Sequence, residues 1–256
     1  ERDRRGNITL LRTFASTGRP VLHKKHEFAR ASTTYDERGN KLSIAFFGVG
    51  GDPVAAGEDK VPRRERRYDA RNNVIEERYY GIDGKPTRQE DGYAREVMEY
   101  DLRDNPIRRT FFGLDNLPST NRIGIATILT TSDALSRRID ERYLGLDGKP
   151  VPDRDGVARI EQRYDVRGNM TGQSFFDIEG KLTKGTLGFA RSEVAYDPAG
   201  HVVDFKSFGP DGKLSLMADG YAHQIMRYDA AGHLLEVQLF DALDQPCLIK
   251  GGWSRM

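Results

Sequence analysis

The sequence predicts an all-β fold: about seven tandem 32-residue antiparallel β repeats forming an elongated, twisted or solenoid-like sheet. Three observations predict it. A Tyr-Asp dipeptide recurs at a fixed interval. Residues that tolerate a left-handed backbone recur at fixed places between the dipeptides. The segments between these turns alternate with period two, and no segment has helical periodicity.

The dipeptide stands at Tyr35-Asp36, Tyr68-Asp69, Tyr100-Asp101, Tyr164-Asp165, Tyr196-Asp197 and Tyr228-Asp229, in steps of 33, 32, 64, 32 and 32 residues. The long step is two periods, with Ser132-Asp133 at its midpoint, so Asp recurs in all seven units and Tyr in six. Asp3, Asn7, Phe14 and Gly18 fit a partial unit before them, and Gly252, Trp253 and Ser254 fit the start of another. The expected organisation is a partial repeat over 1–24, seven repeats over 25–251 and a further repeat opening at 252–256. Ends that fall inside repeats are expected of a piece of a longer array.

Each unit carries two turns of one design. The first reads Asp-x-x-Gly-Asn, with its left-handed position at Gly39, Asn72, Asp104, Ser136, Gly168, Gly200 and Gly232. Asp at the first position caps such a turn through its own side chain. The pattern matches a type I turn closed by a left-handed residue, a common hairpin loop. Twelve residues on, the second turn has its left-handed position at Gly51, Gly84, Asn116, Gly148, Gly180, Gly212 and Asp244. A third glycine recurs at Gly92, Gly156, Gly188 and Gly220.

The first strand of each unit runs up to the Tyr-Asp pair. The second strand repeats an apolar residue at Leu42, Ile75, Ile107, Ile139, Val203 and Leu235, with Thr171 in the remaining unit. It ends at Phe47, Tyr80, Phe112, Leu144, Phe176, Phe208 and Phe240. A short third piece, such as Lys213 to Leu216, is a further strand candidate. One such hairpin is marginal in water, so stability must come from stacking neighbours. The alternative architecture is a closed β-propeller-like ring, but propeller blades run to about 40 residues or more.

Formal net charge is +1, which weighs against a dedicated nucleic-acid binder. Cys247 is the one cysteine, so no intrachain disulfide can form. No apolar run approaches the roughly 20 residues of a transmembrane helix. His23, His26, His201, His223 and His233 have no zinc spacing, and turn chemistry accounts for the Asp-Gly pairs without calcium. No nucleophile elbow, phosphate-binding glycine loop or zinc-protease motif is present, and the carboxylates recur with the period. No catalytic residue, metal or cofactor is therefore expected.

The most specific candidate surface is an arginine ladder on the first strands: Arg30, Arg63, Arg95, Arg159, Arg191 and Arg255, with Thr127 and His223 in the remaining places. Two residues before each stands an apolar or aromatic anchor: Phe28, Val61, Tyr93, Ile125, Val157, Phe189, Tyr221 and Trp253. Strict alternation would put anchors and arginines on one face, opposite the Tyr of Tyr-Asp. As a binding face, guanidinium groups beside apolar anchors suit carboxylate-bearing or extended ligands. As a structural ladder, each arginine pairs with a nearby acid, such as Glu161 or Glu193. The fourth unit departs from the others: Gly124 to Thr131 is uncharged and β-branched, which marks Ile125, Thr127 and Leu129 as a partner-binding strand or as drift that still packs.

The Tyr-Asp-x-x-Gly-Asn turn followed by strands resembles the YD repeats of bacterial RHS-type proteins, and the hairpin-plus-glycine pattern is similar to WG- and MORN-type repeats. The resemblance implies a β-sheet scaffold used for display, encapsulation or partner binding, with the cell envelope or exterior as the favoured location. The expected role is a non-catalytic scaffold or sensing module that binds a protein partner within a larger bacterial protein. A glycan- or envelope-binding array is the alternative, and an enzyme on a β-repeat fold is the third.

Overall fold

The computed structural model describes residues 1–248 and is all-β. Gly252, Trp253, Ser254 and Arg255 lie outside the described residues. Fifteen strands form one open antiparallel sheet in strict chain order. The order has two ends, as expected of an array and unlike a closed ring. The chain packs as two compact units, residues 1–127 and the remainder from Ile128.

In the first unit, β1 is Leu10–Arg12, β2 Arg30–Tyr35, β3 Lys41–Phe47, β4 Arg63–Tyr68, β5 Val74–Tyr80, β6 Arg95–Tyr100 and β7 Pro106–Phe112. Each tight hairpin pairs over six positions, as in Arg30 opposite Phe47 through Tyr35 opposite Lys41. Adjacent hairpins pair over three, as in Ser43, Ile44 and Ala45 opposite Glu65, Arg64 and Arg63. β8, Thr127–Ser132, starts on the last residue of the first unit, and in the second unit β9 is Arg138–Leu144, β10 Arg159–Tyr164, β11 Met170–Phe176, β12 Arg191–Tyr196, β13 Val202–Phe208, β14 His223–Tyr228 and β15 Leu234–Phe240. The same six-then-three pairing recurs there.

The turns follow the residues that dictate them. All seven first-turn positions have positive φ, including Ser136 at 62°, the one residue there that is not Gly, Asn or Asp. All seven second-turn positions do too. A third left-handed position recurs at Glu27, Lys60, Gly92, Gly124, Gly156, Gly188 and Gly220. The third strand candidate is a single bridge per unit, such as Tyr80 to Pro86 and Phe208 to Leu214. Its hydrogen bonds come from flanking residues, as in Gly81 N–H to Lys85 and Thr87 N–H to Tyr79. Proline lacks an N–H and fits the bridge position because none is required there.

At each resolved hairpin the register slips by one residue at the tyrosine, for example between Thr34 and Tyr35 and between Ala195 and Tyr196. The slip leaves Leu42, Ile75, Ile107, Thr171, Val203 and Leu235 as the extra residue of a β-bulge. In that column Leu42, Ile107 and Leu235 are exposed. The core lies one layer away. In the first unit Phe28, Ala31, Phe46 and Ala56 cluster with Ile44 and Val54. In the second, Val157, Phe175 and Phe189 cluster with Ile160, Phe205 and Met217.

Candidate functional site

The ladder arginines lie flat on aromatic rings. Arg30, Arg63, Arg95, Arg159 and Arg191 each open a first strand, directly opposite the last residue of the second strand. Their guanidinium carbons sit 4.0, 4.1, 3.9, 5.4 and 4.0 Å from the ring centroids of Phe47, Tyr80, Phe112, Phe176 and Phe208. In the seventh unit His223 stacks on Phe240 at 4.9 Å. In the fourth, where Thr127 replaces arginine, Leu144 stands at the end of the second strand in place of the aromatic ring. Each ladder arginine thus has a ring beneath it, and the fourth repeat, which lacks the ring, lacks the arginine as well.

Acids hold the rims of the guanidinium groups. Arg159 meets Asp140 at 2.6 Å and Glu161 at 2.5 Å, Arg63 meets Glu65 at 3.4 Å, and Arg95 meets Glu76 at 3.6 Å. Arg191 pairs with Glu193. The Nε atoms of Arg30 and Arg95 are buried without a hydrogen-bond partner among the described residues. His223 lies between two carboxylates, with Asp244 2.6 Å from Nδ1 and Asp204 3.4 Å from Nε2. Half-buried Arg63, Arg95, Arg159 and Arg191 and buried His223 are thus each ion-paired within the fold.

Anchors and arginines do not share a face. Phe28 packs on Phe46 with ring centroids 5.2 Å apart, whereas Arg30 lies over Phe47, the next residue along and on the other side of the pleat. The reason is a bend at the residue between anchor and arginine, which breaks the alternation. That residue is Ala29, Pro62, Ala94, Ala158, Ala190 or Ala222. Phe28, Tyr93 and Phe189 precede such a bend and are 6, 3 and 3% exposed, and Ile125, at 3%, is buried without one, so these anchors belong to the core. Tyr221 and Leu129 are half-buried, and Thr127 is buried. Ala126 at the mouth of the fourth unit accepts a backbone hydrogen bond from Phe111, and β9 follows β8 in the sheet order, so the strand is not a free edge.

The alanine column was missed in the sequence. Its N–H donates to the last residue of its own hairpin, as Ala190 to Phe208, and its carbonyl accepts from the preceding one, as from Phe175. Alanine fits because the site is buried, with Ala190 and Ala222 at 0% exposure. Also missed was the role of the dipeptide tyrosine. In four of the six dipeptides its hydroxyl donates to a backbone carbonyl one repeat earlier, Tyr35 to Ile8, Tyr68 to Lys41, Tyr100 to Val74 and Tyr196 to Met170, each at 2.9 Å, whereas the Tyr164 hydroxyl meets Gln162 and that of Tyr228 meets Met226 Sδ. The dipeptide aspartate closes the turn. Asp36 accepts from the N–H groups of Arg38 and Asn40 and from the Asn40 side chain. Arg137, His201 and His233 supply the side-chain donor where asparagine is lacking.

One polar cluster is peculiar to the second and third repeats. Tyr79 Oη lies 3.0 Å from both Glu77 and Glu96, which are buried. Arg66 holds Glu77 at 2.5 Å, Arg109 pairs with Glu96, and Arg109 also donates to Tyr93 Oη at 2.9 Å. Burial and the neighbouring carboxylates push both tyrosine hydroxyls well above their usual range. Burial disfavours the Arg109 charge, but Glu96 more than offsets it, so the guanidinium is held charged.

The folded chain is similar to the crystal structure of TcdB2-TccC3-Cdc42, with 12% identity over 81% of this chain and a TM-score of 0.50. It is similar in the same way to that of TcdB2-TccC3, with 13% identity over 82% and a TM-score of 0.50. At such identities the likeness is one of fold alone. The chain spans 9% of the length of either matched chain. No protein-family model matches the sequence, and no curated protein does. Among the described residues no helix is long and apolar enough to cross a membrane.

Proposed function

We propose that this chain is a non-catalytic β-repeat scaffold within a larger protein, where it mediates protein–protein interaction. The observation that carries the proposal is the recurrence of one contact set in unit after unit. The arginine lies on the ring in five repeats, the tyrosine hydroxyl reaches the previous repeat in four, and the aspartate closes its own turn. Groups copied with the period serve the period. A catalytic centre, by contrast, needs a singular convergence of groups. The resemblance to RHS-type repeats and the fold likeness to chains of multi-protein complexes support the same role.

Cross-linking mass spectrometry on the full-length protein tests it. The expected result is cross-links from lysines of this chain, such as Lys149 and Lys213, to protein segments outside it. Retention on polysaccharide with no such cross-links would favour the glycan-binding alternative and remove this proposal.

A further inference from the structure

The ladder face is closed by its own contacts, but one groove in the first unit is not. It encloses about 800 Å³, within the range of ligand sites, and runs along the strand direction of β3. It exists because Ala31 and Thr33 are small where the next repeat carries Arg64 and Arg66 at the equivalent places. Leu11, Ile44, Phe28 and Phe46 form its walls. Ile8 at 42% and Leu11 at 47% exposure are the apolar lining open to a ligand, over a floor in which Phe28 and Phe46 are buried.

Charge decides what the groove suits. Residues 1–30 carry eight arginines and lysines against three carboxylates, a surplus of five positive charges in a chain of net charge +1. At the first-turn end the groove is rimmed by Arg2 and Lys41, and Lys41 has no ion-pair partner among the described residues. At the other end stand His26, Arg64, Glu58 and Asp59, of which Arg64 and Asp59 neutralise each other at 2.5 Å. We infer that the groove binds an extended polypeptide segment that alternates apolar and acidic side chains, its carboxylates toward Lys41 and Arg2. A seven-residue strand spans about 23 Å, so some six or seven residues would fill it. Nucleic acid fits less well, because Phe28 and Phe46 are 6 and 9% exposed and offer no open ring for a base.

The inference rests on the protein-binding role proposed above and names its site. The test is fluorescence anisotropy of the 256-residue chain with a labelled heptapeptide alternating leucine and glutamate. Saturable binding is expected, weakened about fivefold or more by Lys41→Glu and by raising salt to about 0.5 M. Leu11→Ser should weaken it too. Both residues are exposed, and circular dichroism confirms the fold of each variant. Equal binding of a leucine–lysine peptide, indifference to Lys41→Glu, or displacement by a single-stranded oligonucleotide would overturn the assignment. If no peptide binds while the full-length protein still cross-links through other faces, the groove assignment falls and the scaffold role stands.

Discussion

At the scale of single residues, the repeated positions divide by what the backbone asks of them. The left-handed turn positions were legible because few residues tolerate that backbone, and Ser136 shows the demand persisting where the chemistry is poor. A left-handed backbone costs about 1 kcal/mol in a residue with a side chain, partly offset by glycine's extra chain entropy. Ser136→Gly should therefore raise stability by about 0.5 kcal/mol, read as a shifted denaturant midpoint. The tyrosines were legible as a column but not as clips between repeats, since nothing local shows that a hydroxyl reaches a carbonyl 27 residues back. Tyr68→Phe removes that bond and should cost about 0.5–1.5 kcal/mol. A variant as stable as the parent would show that the clip adds nothing. Glu96→Gln is expected to cost about 1–2 kcal/mol, because buried Glu96 loses its charge-assisted bond to Arg109, whose own side chain stays 43% exposed and partly hydrated.

At the scale of the hairpin, strand ends and turns followed from sequence, but face assignment did not. Period-two alternation holds only while the strand is regular. The bend at Ala29, Ala94, Ala158 and Ala190 and the bulge at Leu42 or Ile107 each shift it by one residue. That is why anchors expected beside the arginines lie in the core, and why Leu42, Ile107 and Leu235 at the bulge are exposed. The arginines themselves were found by period; their partners were not, because ring and cation lie 17 residues apart at Arg191 and Phe208. A double-mutant cycle with Arg191→Ala and Phe208→Ala should give a coupling of about 0.5–1 kcal/mol. Additive single effects would mean the stacked geometry carries no energy of its own.

At the scale of the whole chain, the turn aspartates tie stability to pH. Side-chain hydrogen bonds from Asn7, Asn105, Arg137, Asn169 and His201 hold Asp3, Asp101, Asp133, Asp165 and Asp197 below the ordinary aspartate value of 3.8. Asp36 and Asp69 are lowered as well, where partial desolvation opposes the shift and the bonds from Asn40 and Asn73 outweigh it. Asp229 is lowered mainly by the backbone N–H of His233. A carboxylate with a depressed folded value contributes stability above its unfolded value and loses it as pH falls through the folded one. Unfolding midpoints should thus be insensitive to these groups above about pH 5 and fall as pH drops below about 4. A midpoint unchanged down to pH 2 would contradict the turn assignments.

The central claim is that the repeated polar groups hold the array together and are not a row of free binding groups. The most direct measurement is denaturant unfolding of the chain with Arg30, Arg63, Arg95, Arg159 and Arg191 all replaced by alanine. Five lost stacking contacts should lower stability by at least about 2 kcal/mol. A midpoint equal to that of the parent would show that the arginines are free of the fold, and would return the ladder to the surface as a candidate binding face.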